Sequence, residues 1–204
     1  MVSSLASPSK RNRRRGDGAR NLALLILRVT LGSLMAGHGS QKLFGWFEGH
    51  GLQGTSDWLE SLELRPGRAW AIAAGLSEFG GGVLMLLGFL NPLGPLGVTG
   101  AMAMATAKVH PLHEKPIWAT SGGAELPLTN TAIASALMLM GPGKYSLDRA
   151  LGVRLPRPIL ALFGLVSIAA VVAFAMQSED QSQQTEDEAY DALQGEEESE
   201  QQPA

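Results

Sequence analysis

The stretch that decides the fold is PILALFGLVSIAAVVAFAM, Pro158 to Met176, nineteen residues without one charged side chain. At 1.5 Å per residue a helix of this length covers roughly 28 Å, close to the thickness of a bilayer's hydrocarbon core. A soluble helix would need a polar face, and this one has none. Four more apolar runs precede it. Leu22 to Gly39 is interrupted only by Arg28, and Ala69 to Leu90 carries Glu78. Leu93 to Ala107 follows the turn signal Asn91-Pro92 and ends at Lys108 and His110, while Leu126 to Met140 closes at Gly141-Pro142-Gly143. The pattern predicts an all-α integral membrane protein with five spanning helices. A soluble helical bundle is disfavoured by the uncharged outer faces, and a cleaved leader by Arg28 within the first apolar run.

Mean hydropathy is only +0.08 because a polar start and a polar end dilute this apolar middle. Ten of the nineteen carboxylates lie between Glu179 and Glu200, so without the tail sixteen Lys and Arg face nine acids, a balance of +7. Positively charged flanks stay in the cytoplasm. With the amino terminus inside, ten cations fall on the cytoplasmic side and five outside, namely Lys42, Arg65, Arg68, Lys108 and Lys115. The acidic segment 177–204, rich in Glu, Gln and Ser, is then extracytoplasmic and expected to be disordered. Residues 1–20 read as a basic, disordered cytoplasmic segment whose arginines signal topology rather than nucleic-acid binding. The loop 40–67 carries the interfacial signature Gly45-Trp46-Phe47. Gly54-Thr55-Ser56-Asp57 then starts a short surface helix with Trp58, Leu59 and Leu62 on one face.

The chain contains no cysteine, which removes thiol nucleophiles, disulfide redox pairs and thiolate metal sites. No phosphate loop, dinucleotide fingerprint, nucleophile elbow or internal repeat occurs. His110-Pro111-Leu112-His113-Glu114, with His50 as a possible third histidine, suggests a metal site only weakly. Pro111 disturbs the helix that would align His110 with His113, and the spacing matches no zinc signature, so no metal is expected.

Ionisable groups inside a membrane are costly unless paired. The midpoints of the first two runs place Arg28 and Glu78 at nearly the same depth, among small residues that allow close helix approach, so they are expected to form an intramembrane ion pair. Such a pair either fixes helix register or borders a ligand or proton path. A second polar set falls at the external helix ends: His38, Gln41 and Lys42, then Lys108 and His110, then Glu125. These six are expected to line one cavity suited to a polar headgroup, with interfacial snorkelling and helix capping as the plain alternative.

Several motifs, in order, resemble those of the DoxX family of bacterial and archaeal membrane proteins. They are Arg28-Val29-Thr30-Leu31-Gly32, His38-Gly39-Ser40-Gln41-Lys42-Leu43-Phe44-Gly45-Trp46-Phe47, Gly51-Leu52-Gln53-Gly54-Thr55, Glu78-Phe79-Gly80-Gly81, Gly122-Gly123-Ala124-Glu125 and Gly141-Pro142-Gly143-Lys144-Tyr145-Ser146-Leu147-Asp148. The resemblance covers roughly Leu22 to Leu151. It implies a four-helix membrane domain over 21–151, to which this chain adds a linker and fifth helix over 152–176. Relatives of the small subunit of thiosulfate:quinone oxidoreductase belong here, so the resemblance implies either an accessory, quinone-interacting subunit of a plasma-membrane oxidoreductase system or a non-catalytic anchor. The candidate cofactor is a quinone. The candidate partners are the bilayer, a soluble oxidoreductase or sulfur-handling protein, and further copies of the chain. Without cysteine, any sulfur chemistry would occur on a partner.

Overall fold

The long apolar runs become long helices. A computed structural model describes residues 10–111 and 116–177, and every regular element among them is helical. α1 (Lys10–Phe44) is followed by α2 (Gly51–Glu60), α3 (Gly67–Leu87), α4 (Leu93–Met104), α5 (Glu125–Met140), α6 (Leu147–Leu151) and α7 (Arg157–Gln177). A π-helical turn, Ala105–Val109, extends α4, and a 3-10 turn, Ala119–Ser121, precedes α5. α1 starts at Lys10, so residues 10–20 are its first turns rather than part of a disordered segment. Residues 1–9, the acidic tail from 178, and His113 and Glu114 of the weak metal motif lie outside the described residues.

Among the described residues, three helices are long and apolar enough to cross a membrane: Gly16–Phe44, Gly67–Leu87 and Arg157–Gln177. α4 with its π turn and α5, formed by the two shortest apolar runs, are shorter than these. The surface helix also begins earlier than expected, at Gly51 after His50, and Thr55 and Ser56, read as its start, are buried within it. Leu59 points into the core while Trp58 is exposed, so the two do not share one buried face.

Small residues set the packing of α1 on α3. A Cβ on Gly39 would stand 2.2 Å from the Phe79 nitrogen, and one on Gly82 would stand 2.4 Å from that of Ala36. Gly32 opposes Leu86, and Leu43 packs on Gly75. Backbones that approach this closely gain van der Waals contact that lipid cannot replace. These contacts make α1 and α3 antiparallel. α4 returns along α3, with Gly94 against Met85 and Val98 against Gly81. The main core gathers Leu24, Leu31, Met35, Met85, Val98, Met102, Ala134 and Leu137 from α1, α3, α4 and α5.

α7 lies parallel to α4, with Gly164 against Leu96 and Ile168 against Gly100. It starts beside the end of α5, where the Arg157 guanidinium meets Gly141. At its far end Ala175 is buried with Leu59, Leu64 and Ala71. The remainder of α7 is largely exposed and apolar, as a lipid-facing helix must be.

Candidate functional site

The register of α1 on α3 decides where the charges go. With Gly39 opposite Phe79, Glu78 faces the last turns of α1, and Lys42 is the cation within reach. Lys42 Nζ lies 2.6 Å from Glu78 Oε2. The Glu78 side chain is 7% exposed and that of Lys42 is 25% exposed, so the pair sits at the edge of the bundle.

The same register places Arg28 opposite Leu90 and Asn91, at the other end of α3. Lys42 lies fourteen residues beyond Arg28, roughly 21 Å along the helix. Arg28 therefore does not pair with Glu78 as the matched midpoints suggested. Its Nη2 donates instead to the Tyr145 carbonyl, and Asp148 supplies the nearby negative charge. The Asp148 carboxylate accepts from the N–H groups of Leu90 and Asn91 at 2.8 and 3.0 Å. The stretch Gly141 to Asp148 is thus strapped to α1 and to the α3–α4 turn through two buried polar side chains. Arg28 Nε and Nη1 and Asn91 Oδ1 are buried there without partners among the described residues. Asp148 was a motif residue in the sequence, yet its pairing role had no local signal.

At the opposite end, the loop after α1 folds back across the helix. Gly49 makes this possible, because a Cβ there would fall 2.5 Å from Gln41 Cα. Phe47 and Glu48 both hold positive φ, at 52° and 62°, conformations that non-glycine residues adopt rarely and that concentrate at functional sites. Gln41 Nε2 donates to the Phe47 carbonyl over 3.3 Å. Its Oε1 lies 3.2 Å from His38 Nδ1, so the amide orients the imidazole and leaves Nε2 without a protein partner among the described residues. Thr55 Oγ1 donates to the Lys42 carbonyl and joins α2 to the same turn.

Between loop, α1 and α2 is a cavity of about 530 Å³ lined by His38, Gln41, Lys42, Glu48, His50 and Trp58, with Gly49, Gly54 and Thr55. Three of the six outer residues anticipated from sequence come together in it. Lys108, His110 and Glu125 do not line it; they gather around the α4–α5 connection, where His110 Nδ1 lies 2.6 Å from the Gly122 carbonyl and Glu125 Oε2 accepts from the Ala119 N–H over 2.9 Å. A shared expected depth did not give convergence, since His110 and Glu125 are occupied with closing their own loop. Glu48 and Trp58 are lining residues that sequence reasoning did not assign to the site, and His50 appeared only in the discarded metal motif. No group of three metal-ligating side chains occurs among the described residues.

Aromatic side chains surround this end of the molecule. Phe44 makes an edge-on contact with Phe79 at 5.4 Å and a tilted one with Trp46 at 5.1 Å. Trp46, Phe47 and Trp118 are exposed, as rings at a membrane–water boundary are.

The DoxX family model matches residues 23–111, a span that includes the whole cavity lining and Glu78 and ends before α5. No curated protein and no solved structure matches the chain. Residues 23–111 of this chain, in which apolar helices long enough to cross a bilayer recur, are thus similar to the DoxX family.

Proposed function

We propose that this chain is an accessory, quinone-interacting subunit of a membrane-associated oxidoreductase system, with the quinone headgroup held in the cavity at the end of α1. The observation that carries this reading is the chemistry of that cavity. A quinone carbonyl needs a hydrogen-bond donor and a quinol hydroxyl an acceptor. The ammonium hydrogens that Lys42 does not give to Glu78 are the donors, and His38 Nε2 is the acceptor because Nδ1 donates to Gln41 Oε1, beside the apolar face of Trp58. A quinone bound there supplies a two-electron, two-proton acceptor. The chain itself orients the headgroup through His38 and Lys42 and keeps ionisable groups beside it in the Lys42–Glu78 pair. With no cysteine in the chain, the electron donor belongs to a partner. The cavity lining does not call on Lys108, His110 or Glu125.

In this reading the protein lies in the plasma membrane as the DoxX-type four-helix bundle with a fifth helix, the amino terminus cytoplasmic and the carboxyl terminus outside. The test is equilibrium binding of decylubiquinone to the detergent-purified protein and to folded His38→Ala and Lys42→Ala variants. At least tenfold weaker binding by each variant is expected; unchanged affinity in both, or no binding by the parent, overturns the reading.

A non-catalytic anchor for a soluble redox or sulfur-handling protein is the second reading. Exposed Phe47 and Trp118 near the cavity end favour it, because rings at that boundary could also seat a partner. Co-purification of a soluble oxidoreductase with no quinone in the sample would select it.

A further inference from the structure

The end of the bundle opposite the cavity presents two arginines aimed at one point. Arg20 Nη2, from α1, donates to the Met140 carbonyl over 3.1 Å. Arg157, from α7, brings Nη1 to 2.7 Å from where a Cβ on Gly141 would stand. Both guanidiniums therefore meet at the last residues of α5. Neither forms an ion pair with a carboxylate among the described residues, and both are exposed. Capping of α5 carbonyls accounts for one N–H of Arg20 and leaves the other donors of both forks pointing outward.

The surroundings are mainly basic, with Asp17, exposed one turn before Arg20 on α1, as the acid close to it in sequence. Lys144 is exposed at the same end, its loop held by the 2.8 Å bond from its backbone N–H to Asn21 Oδ1. Asp148, the acid nearest Lys144 in sequence, is buried and committed to the Leu90 and Asn91 amides. Beside the arginines the surface turns apolar at once: Leu139 on the last turn of α5 is 84% exposed, and Ile159 and Phe163 on the first turns of α7 are 69% and 72% exposed. An anion with hydrocarbon attached matches this arrangement, because guanidinium forks take phosphate in bidentate fashion and basic clefts between membrane helices take acidic headgroups.

We infer that this end carries a binding site for an anionic phospholipid, with the phosphate between Arg20 and Arg157 and the acyl chains against Leu139 and the start of α7. The site is separate from the cavity at the other end and does not depend on the quinone reading.

The test uses the full chain in dodecyl maltoside, titrated with dioleoylphosphatidylglycerol, with dioleoylphosphatidylcholine as the zwitterionic lipid and glycerol 3-phosphate as a headgroup without chains, read by native mass spectrometry. Phosphatidylglycerol is expected to be retained at least tenfold more tightly than either. Neutralising one arginine should weaken it about fivefold. The Arg20→Gln/Arg157→Gln double variant should remove the preference, whereas Arg65→Gln/Arg68→Gln, away from this end, should leave it intact. If the double variant does not fold, Arg20→Lys/Arg157→Lys keeps the charge and should retain the preference over phosphatidylcholine while losing affinity. Equal retention of both lipids, a preference surviving in the glutamine variant or absent in the lysine variant, or glycerol 3-phosphate binding as tightly as the lipid would each overturn the assignment.

Discussion

Lys42 on α1 and Glu78 on α3 form an ion pair of 2.6 Å at the cavity end of the bundle, so the buried carboxylate is matched by the cation that also lines the cavity. One interaction therefore serves helix register and binding chemistry together.

That double role gives the first prediction. Lys42→Ala leaves Glu78 buried and unpaired, which should cost about 2–4 kcal/mol, less than a fully buried pair because Lys42 remains partly in contact with solvent. The Lys42→Gln/Glu78→Gln double variant should recover most of that stability but not the binding of a quinone analogue. Thermal unfolding in detergent, run on both single variants and the double, measures the coupling. Simple additivity of the single effects would show that the pair contributes nothing.

Glycines on the α1–α3 contact are not equivalent, and the difference is steric. Gly39→Ala and Gly82→Ala drive a methyl group into backbone atoms 2.2–2.4 Å away, so each should destabilise the protein by about 3 kcal/mol or more. Gly37→Ala and Gly80→Ala meet nothing within 4 Å and should be neutral or slightly stabilising. Equal melting temperatures across the four variants would mean that the helices are not packed in this register.

How much of this was legible in the chain depends on what kind of information each feature needs. Apolar length is local, and all five runs became helices near their anticipated positions. Register is not local. The midpoints of the apolar runs put Arg28 beside Glu78, but α1 continues through residues that are not apolar, and the glycine contacts slide α3 until Glu78 meets Lys42. The helix ends that carry the six outer residues could be read from the apolar runs; direction around each helix could not, so His38, Gln41 and Lys42 converged while His110 and Glu125 turned to their own loop. The fold of 45–51 was hidden for a different reason, since Phe47 and Glu48 adopt backbone angles that their side chains do not advertise.

Asp148 supports the third prediction. Its carboxylate holds two backbone N–H groups of the α3–α4 turn and provides the nearby charge for buried Arg28. Asp148→Ala removes both acceptors and the charge, for an expected loss of about 3–5 kcal/mol; Asp148→Asn keeps one acceptor and should fall between it and the parent. Because the same side chain straps the 141–148 loop, tryptic cleavage after Lys144 should accelerate in the order parent, Asn, Ala. A loop equally resistant in all three proteins would assign its order to something other than Asp148.

The last prediction concerns α7. It begins at Arg157, beside Gly141 at the end of α5, and runs parallel to α4 through Gly164 against Leu96 and Ile168 against Gly100. It finishes with Ala175 buried among Leu59, Leu64 and Ala71, beside the start of α3. Its two ends therefore lie at opposite ends of the bundle, roughly 30 Å apart for a helix of this length. A helix that lay along the surface could not bury Ala175 and meet Gly141 in this way. The cysteine-free chain makes the measurement direct: Lys144→Cys and Gln177→Cys variants in intact cells, challenged with a membrane-impermeant maleimide. Gln177→Cys should label from outside, and Lys144→Cys should label only after the membrane is opened, as expected when the cationic loops stay in the cytoplasm. Labelling of both from the same side would reject α7 as a span, and with it the placement of the acidic tail outside.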